Sequence, residues 1–332
     1  MRTAIVLAAL AIALAASMLA GVLIGAVPIA PLDVWGALWG HGDPTTATIV
    51  RDLRVPRVLG AAIVGGALAV AGALLQGLLR NPLADPYVTG TSAGASLCAV
   101  VAIALGASSD PALLPVAAFV GALVAAGIVW RLSSPGGHAS VLTVLLAGVI
   151  LSSFAAAIVT LLLVASDRIV LRLRAVLAWL LGGISVLDTS ELVVAGAIVV
   201  GATVGAIALA RRLDAFAFGE ETAATLGVDL ERTTATVLLV TALLTGAAVA
   251  LGGVIGFVGL VVPHAIRPFL GAAHVRLVPA SFLLGAVTLV LADVGARTIL
   301  SPAELPVGVI TGLVGGPFFL GHLLRQRRRM LV

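Results

Sequence analysis

The chain has 332 residues, of which 61% are hydrophobic and only 10% charged, against about 25% charged in an ordinary soluble domain. So few charges cannot cover a soluble protein of this size, which leaves an integral membrane protein as the class. All 19 basic residues are arginine and the formal charge is +4, so the phosphate-cradling G-x-x-x-x-G-K-[ST] loop of a Walker-type ATPase is excluded by its missing lysine.

Ten membrane spans are predicted from apolar runs and their polar breaks, since a helix needs about 20 residues to cross a bilayer. In chain order they are 4–29, 58–79, 87–105, 113–129 and 141–164, then 192–210, 235–251, 254–266, 278–294 and 307–324. The first could instead be a cleaved signal peptide, but its apolar stretch far exceeds the roughly 7–15 residues of a signal core. Arg54-Val55-Pro56-Arg57 opens the second span, and Arg80-Asn81-Pro82-Leu83-Ala84-Asp85-Pro86 ends it, with two prolines that forbid a continuous helix. Asp85 reads as an N-cap for the third span. The eighth span is too short to cross alone and holds glycines before Pro263; such broken helices line cavities or sit buried in protein. Gly66-Ala67 through Gly72 has a counterpart 180 residues on, in Gly246-Ala247 through Gly252. The expected fold is therefore all-α and polytopic, one transmembrane domain over 1–332 in two inverted five-helix halves.

With both termini in the cytoplasm, twelve arginines fall inside and seven outside, the bias that the positive-inside rule requires. The basic tail Arg325-Gln326-Arg327-Arg328-Arg329 fits cytoplasmic anchoring and argues against nucleic acid. Cys98 is the single cysteine, and His41, His138, His264, His274 and His322 show no ligand spacing, so neither a metal site nor a catalytic constellation is expected.

The wording RVPR, GALAVAGALLQGLLRNPLADP and GTSAGA between Arg54 and Ala95 resembles the iron-chelate, haem and cobalamin permeases of ATP-driven importers, the FecCD type. The resemblance covers nearly the whole chain and implies a permease that does not hydrolyse ATP itself. It further implies a homodimer, two cytoplasmic ATPase subunits that bind ATP and magnesium, and a periplasmic or lipid-anchored binding protein, all at a bacterial inner membrane. No cofactor is implied in the chain itself.

Site residues follow from the same resemblance. Arg54 and Arg57 match the R-x-P-R motif, and Arg297 ends the L-A-D-x-x-A-R pattern Leu291–Arg297. In the family these arginines dock glutamates of the binding protein. Arg54 and Arg57 also stand at a predicted helix N-terminus, where the macrodipole disfavours a cation. The alternative is that they anchor at headgroups and that Arg297 pairs with Asp293 one turn back. The break at 214–231 carries Gly219, Glu220, Glu221, Ala223, Ala224, Leu226 and Gly227 and resembles the E-x-A-A-x-x-G helix that couples to the ATPase. Asn81 and Leu83 match one half of the cytoplasmic gate. The other half falls at Ser140 to Thr143, which departs from the polar pattern of the family. Arg168, Arg172 and Arg174, before Trp179-Leu180-Leu181-Gly182-Gly183, either line an outer vestibule or are solvated cations.

Other classes fare worse. An ion-coupled transporter needs ionisable groups within its spans, and Asp293 is the one acid so placed. A lining of Ala, Gly, Leu and Val suits a translocator that releases its cargo. The expected cargo is a ferric siderophore, with haem or cobalamin as alternatives.

Overall fold

The computed structural model describes residues 1–106, 112–133, 141–165, 170–171, 173–184 and 188–330. The described residues form helices joined by short turns, without strands. They are α1 (Arg2–Leu23), α2 (Pro31–Leu38), α3 (Pro44–Thr48), α4 (Val55–Leu78), α5 (Thr91–Leu105), α6 (Leu113–Ser133) and α7 (Val141–Ala165). The remainder are α8 (Leu173–Leu180), α9 (Thr189–Phe216), α10 (Glu220–Thr225), α11 (Leu230–Gly252), α12 (Val258–Leu270), α13 (His274–Thr298) and α14 (Val307–Met330). Seven are long and apolar enough to cross a membrane, and α5, α12 and the start of α14 are shorter apolar helices. Together these match the ten predicted spans.

Three boundaries differ in ways that matter. The first span ends at Leu23 rather than near 29, because Gly25 and Pro28 break it. The third begins at Thr91, after a 3-10 turn over Pro86–Thr89 that Asp85 caps by accepting from the Tyr87 N–H. Above all, the helical rod that contains α4 does not begin at the R-x-P-R motif. A π-helical turn over Ile49–Arg54 joins α4 to α3 without interruption, and the helical N-terminus lies at Pro44, capped by Asp43.

Helix α4 is the centre of the molecule: 89% of its apolar window is buried, against 11% for α1 on the periphery. It packs against α13, α11, α9 and α12, and small residues let the backbones close in. A Cβ at Gly72 would land on the Gly259 carbonyl of α12. That contact is organised by a buried amide. Pro263 lies inside α12 and has no N–H for the carbonyl four residues back, which belongs to Gly259. The Gln76 side chain of α4 supplies the missing donor, bonding the carbonyls of Gly259 and Leu260 (3.2 Å each) and of Ala84 at 3.3 Å. The eighth span survives its proline because α4 satisfies it from outside.

The duplicated glycines play equivalent parts. Gly66 of α4 faces Phe282 of α13, and Gly246 of α11 faces Phe119 of α6. The second span thus meets the ninth as the seventh meets the fourth, the pairing expected of two five-helix halves.

Candidate functional site: two helix ends and a coupling segment

Arg54, Arg57 and Arg297 converge at the C-terminal end of α1, but two of them are not presented to solvent. Arg54 is 4% exposed and Arg297 3%. Helix α1 ends with carbonyls that lack intrahelical donors, and the guanidinium, with five N–H groups, takes them. Arg54 Nη1 donates to Val22 O and Leu23 O, both at 2.9 Å, and its Nη2 donates to Val27 O. Arg297 Nη2 donates to Gly21 O at 3.1 Å. The expectation of cations at the wrong end of a helix is therefore corrected. Arg54 sits inside the continuous α3–α4 helix, about three turns from its start, and caps the C-terminus of α1, where the dipole favours a positive charge.

Asp293 is the hub beneath them. Its side chain is 1% exposed, accepts from Arg57 Nε at 2.9 Å and stands in ion-pair contact with Arg297 Nε at 3.0 Å, so the predicted turn-apart pair is present. Arg57 also donates through Nη1 to Glu304 at 2.8 Å and keeps a 21% exposed side chain. Glu304 was missed by sequence reasoning, although it is one of only 15 acidic residues and lies in the polar break before the last span. Arg54, Arg57, Arg297 and Glu304 line a cavity of about 300 Å³ with Gly25 and Ile184. Of the three matched arginines, Arg57 alone combines a place on this cavity with appreciable exposure.

The opposite end carries the coupling segment. Gly219 and Gly227 adopt positive φ, +101° and +81°, and bracket the six-residue α10. Glu220 reaches Arg80 at the end of α4 (3.3 Å), with both side chains over 40% exposed. Ala223 is fully buried against its own chain. It anchors the segment and leaves Glu221, Ala224 and Leu226 outward, with Leu226 at 65% and Phe218 at 74% exposure. Next to it, Asp214 at the end of α9 accepts from the His274 N–H (2.9 Å) and meets its Nδ1 at 2.6 Å, tying α9 to the start of α13.

The gate residues are only partly gathered. Asn81 and Leu83 are both exposed in the turn after α4, where Asn81 Oδ1 accepts from the Leu83 N–H at 2.9 Å. Thr143 is half-buried at the start of α7, and its hydroxyl reaches Ser133 O at 3.3 Å. Ser140 lies outside the described residues, as do Arg168 and Arg172. Arg174 is exposed on α8. The glycines after Trp179 have a structural use: Gly183 N–H donates to Gly252 O (2.9 Å), and Gly182 turns at φ +74°. Asp188 caps α9, and the hydroxyl and N–H of Ser190 hold its carboxyl below the usual carboxylate range. No group of three or more His, Cys, Asp or Glu side chains assembles a metal site among the described residues.

The model of the FecCD transport family matches residues 11–325. The chain belongs to that family. It is 43% identical to the hemin transport system permease protein of Yersinia pestis over 84% of each chain. The Fe(3+) dicitrate transport system permease of Escherichia coli is 38% identical over 95% of this chain and 97% of its own. A cobalamin import system permease of Halobacterium salinarum is 42% identical over 91% and 81%. Among solved structures, an inward-facing conformation of a metal-chelate type ABC transporter superposes with a TM-score of 0.84 at 29% identity, covering 96% of this chain and 98% of that one. The FecCD chain is thus a polytopic membrane permease, and ATP hydrolysis is carried by separate subunits.

Proposed function

We propose that the chain is the translocating subunit of an ATP-driven importer of metal chelates in a bacterial inner membrane, working as a homodimer with its pathway at the twofold axis. Both termini and α10 face the cytoplasm. Two ATP-binding subunits, which hold ATP and magnesium, engage α10, and a binding protein delivers cargo to the Arg57 end. The exposed acidic and apolar face of α10 carries this reading. A short helix anchored by a buried alanine leaves Leu226 and Phe218 in water beside it, and exposed apolar patches of this kind mark interaction sites.

The cargo is best read as a ferric siderophore. The relatives named for hemin, ferric dicitrate and cobalamin support a metal chelate as the class, and the cationic end suits an anionic complex. Proteoliposomes containing the chain and its two partner types should accumulate iron from a ferric siderophore with ATP, and neither haem nor cobalamin should compete. Inhibition by haem or cobalamin at equimolar concentration would reassign the cargo. Glu221→Arg or Leu226→Asp should abolish uptake and co-purification with the ATPase while the monodisperse fold is kept, since a mismatched charge at a packed interface costs several kcal/mol. Normal uptake in both variants would show that α10 is a loop without a coupling role.

A further inference from the structure

The N-terminal end of α1 holds a second set of three arginines, and no acid among the described residues neutralises them. Arg2 in the first turn of α1, Arg267 near the end of α12 and Arg276 in the first turn of α13 line a cavity of about 370 Å³, together with Thr3 and Phe269. No ion pair and no side-chain hydrogen bond engages any of the three among the described residues. Nη1 of Arg267 is buried without a hydrogen-bond partner. The carboxylate on the adjoining end of α9, Asp214, is already engaged by His274.

A half-buried guanidinium with an unmet N–H, flanked by two exposed cations, calls for an anion with several acceptor oxygens. Phosphate fits the planar fork of arginine better than a lone carboxylate does when three guanidiniums converge. The first turns of α1 and α13 also aim partial positive charge at the same place. Position identifies the source. With only 11% of its window buried, α1 is a peripheral helix, long and apolar enough to cross a bilayer. The cavity lies at its end, where a helix that crosses the hydrocarbon core would meet the headgroups, and Phe269 stands 57% exposed beside it as an apolar neighbour.

We propose that this cavity holds the phosphate of an acidic membrane lipid between Arg2, Arg267 and Arg276. It would tie the start of the peripheral helix to α12 and α13 through the lipid headgroup.

The full chain, reconstituted in phosphatidylcholine nanodiscs with a minor fraction of phosphatidylglycerol and then gently extracted, tests this by native mass spectrometry of retained lipid. Phosphatidylglycerol should be enriched over phosphatidylcholine, by roughly fivefold for each arginine engaged. The double variant Arg2→Gln/Arg276→Gln should lose most of that enrichment; both residues are exposed, so the fold should persist. The control Arg211→Gln/Arg212→Gln removes the same charge from exposed positions outside the cavity and should retain it. Equal loss in both double variants, or no preference in the parent chain, overturns the site. Thermal stabilisation by millimolar inorganic phosphate without any lipid preference overturns the lipid assignment.

Discussion

The two ends of α1 present the same number of arginines in opposite chemical states. At its C-terminus Arg54, Arg57 and Arg297 share two carboxylates, three carbonyl oxygens of the last turn of α1 and that of Val27 just beyond it. At its N-terminus Arg2, Arg267 and Arg276 line a cavity without any acid among the described residues. The first cluster is consumed by the fold and keeps one side chain, Arg57, partly free for an outside partner. The second is left for something the chain does not supply. What a buried arginine does is therefore decided by the acceptors around it, and its position along the chain does not reveal them.

The sharpest way to break this contrast is to remove the shared acid. Asp293→Ala leaves Arg297 buried without its counter-ion and Arg57 with Glu304 alone, and breaking one partner out of a buried ion pair costs about 3–5 kcal/mol. The expected result is a large fall in unfolding midpoint or in monodisperse yield. An unchanged midpoint would mean that water already solvates the cluster.

Arg54→Met comes next. It keeps the bulk of the side chain but strands the carbonyls of Val22, Leu23 and Val27, and hydrogen bonds to a charged group are worth about 1.5–3 kcal/mol. The loss should be local, so a cysteine probe placed at Ala26 should gain accessibility before the global fold melts. By contrast Arg276→Gln, in phosphatidylcholine alone, should change stability by less than about 0.5 kcal/mol, as for an ordinary surface substitution. A comparable loss in both variants would erase the distinction between the clusters.

The ten helices were legible because their apolar runs and proline breaks are set by the bilayer, and the shifts at Leu23 and Thr91 are ordinary end effects. The state of the arginines was not legible. The polar-looking stretch 31–54 gave no sign that Pro44 to Leu78 would run as one helix through a π-helical turn, so Arg54 was assigned to the wrong helix end. Nothing near Glu304 in sequence says that it will meet Arg57, 247 residues away. Gln76 looked like one polar residue in an apolar run, yet it answers a proline in another span. The coupling segment was easier to place, since Gly219 and Gly227 need only local backbone geometry to bracket α10, although the inward turn of Ala223 depends on packing.

Smaller effects separate the free arginine from its neighbours. Arg57→Gln should slow association of the binding protein by about tenfold at low salt and by little at high salt, because a rim charge acts mainly on encounter rate. Surface plasmon resonance on nanodisc-held transporter would measure it. An unaffected rate would make Arg57 one more internal brace.

Glu304→Gln should act in the opposite direction and least of all. Glu304 is 45% exposed and holds the outer face of Arg57, so a carboxylate arriving from the binding protein must share or displace it. Exposed pairs of this kind contribute about 0–1 kcal/mol, which limits the gain to roughly fivefold in affinity and leaves the unfolding midpoint nearly unchanged. The gain should vanish in the Arg57→Gln background, since nothing then remains for Glu304 to shield. If Glu304→Gln weakens docking instead, Glu304 orients Arg57 toward its partner rather than competing for it. The fivefold gain, its loss in the double variant and its decline with salt would together identify Arg57 as the one arginine of its cluster still available to a partner.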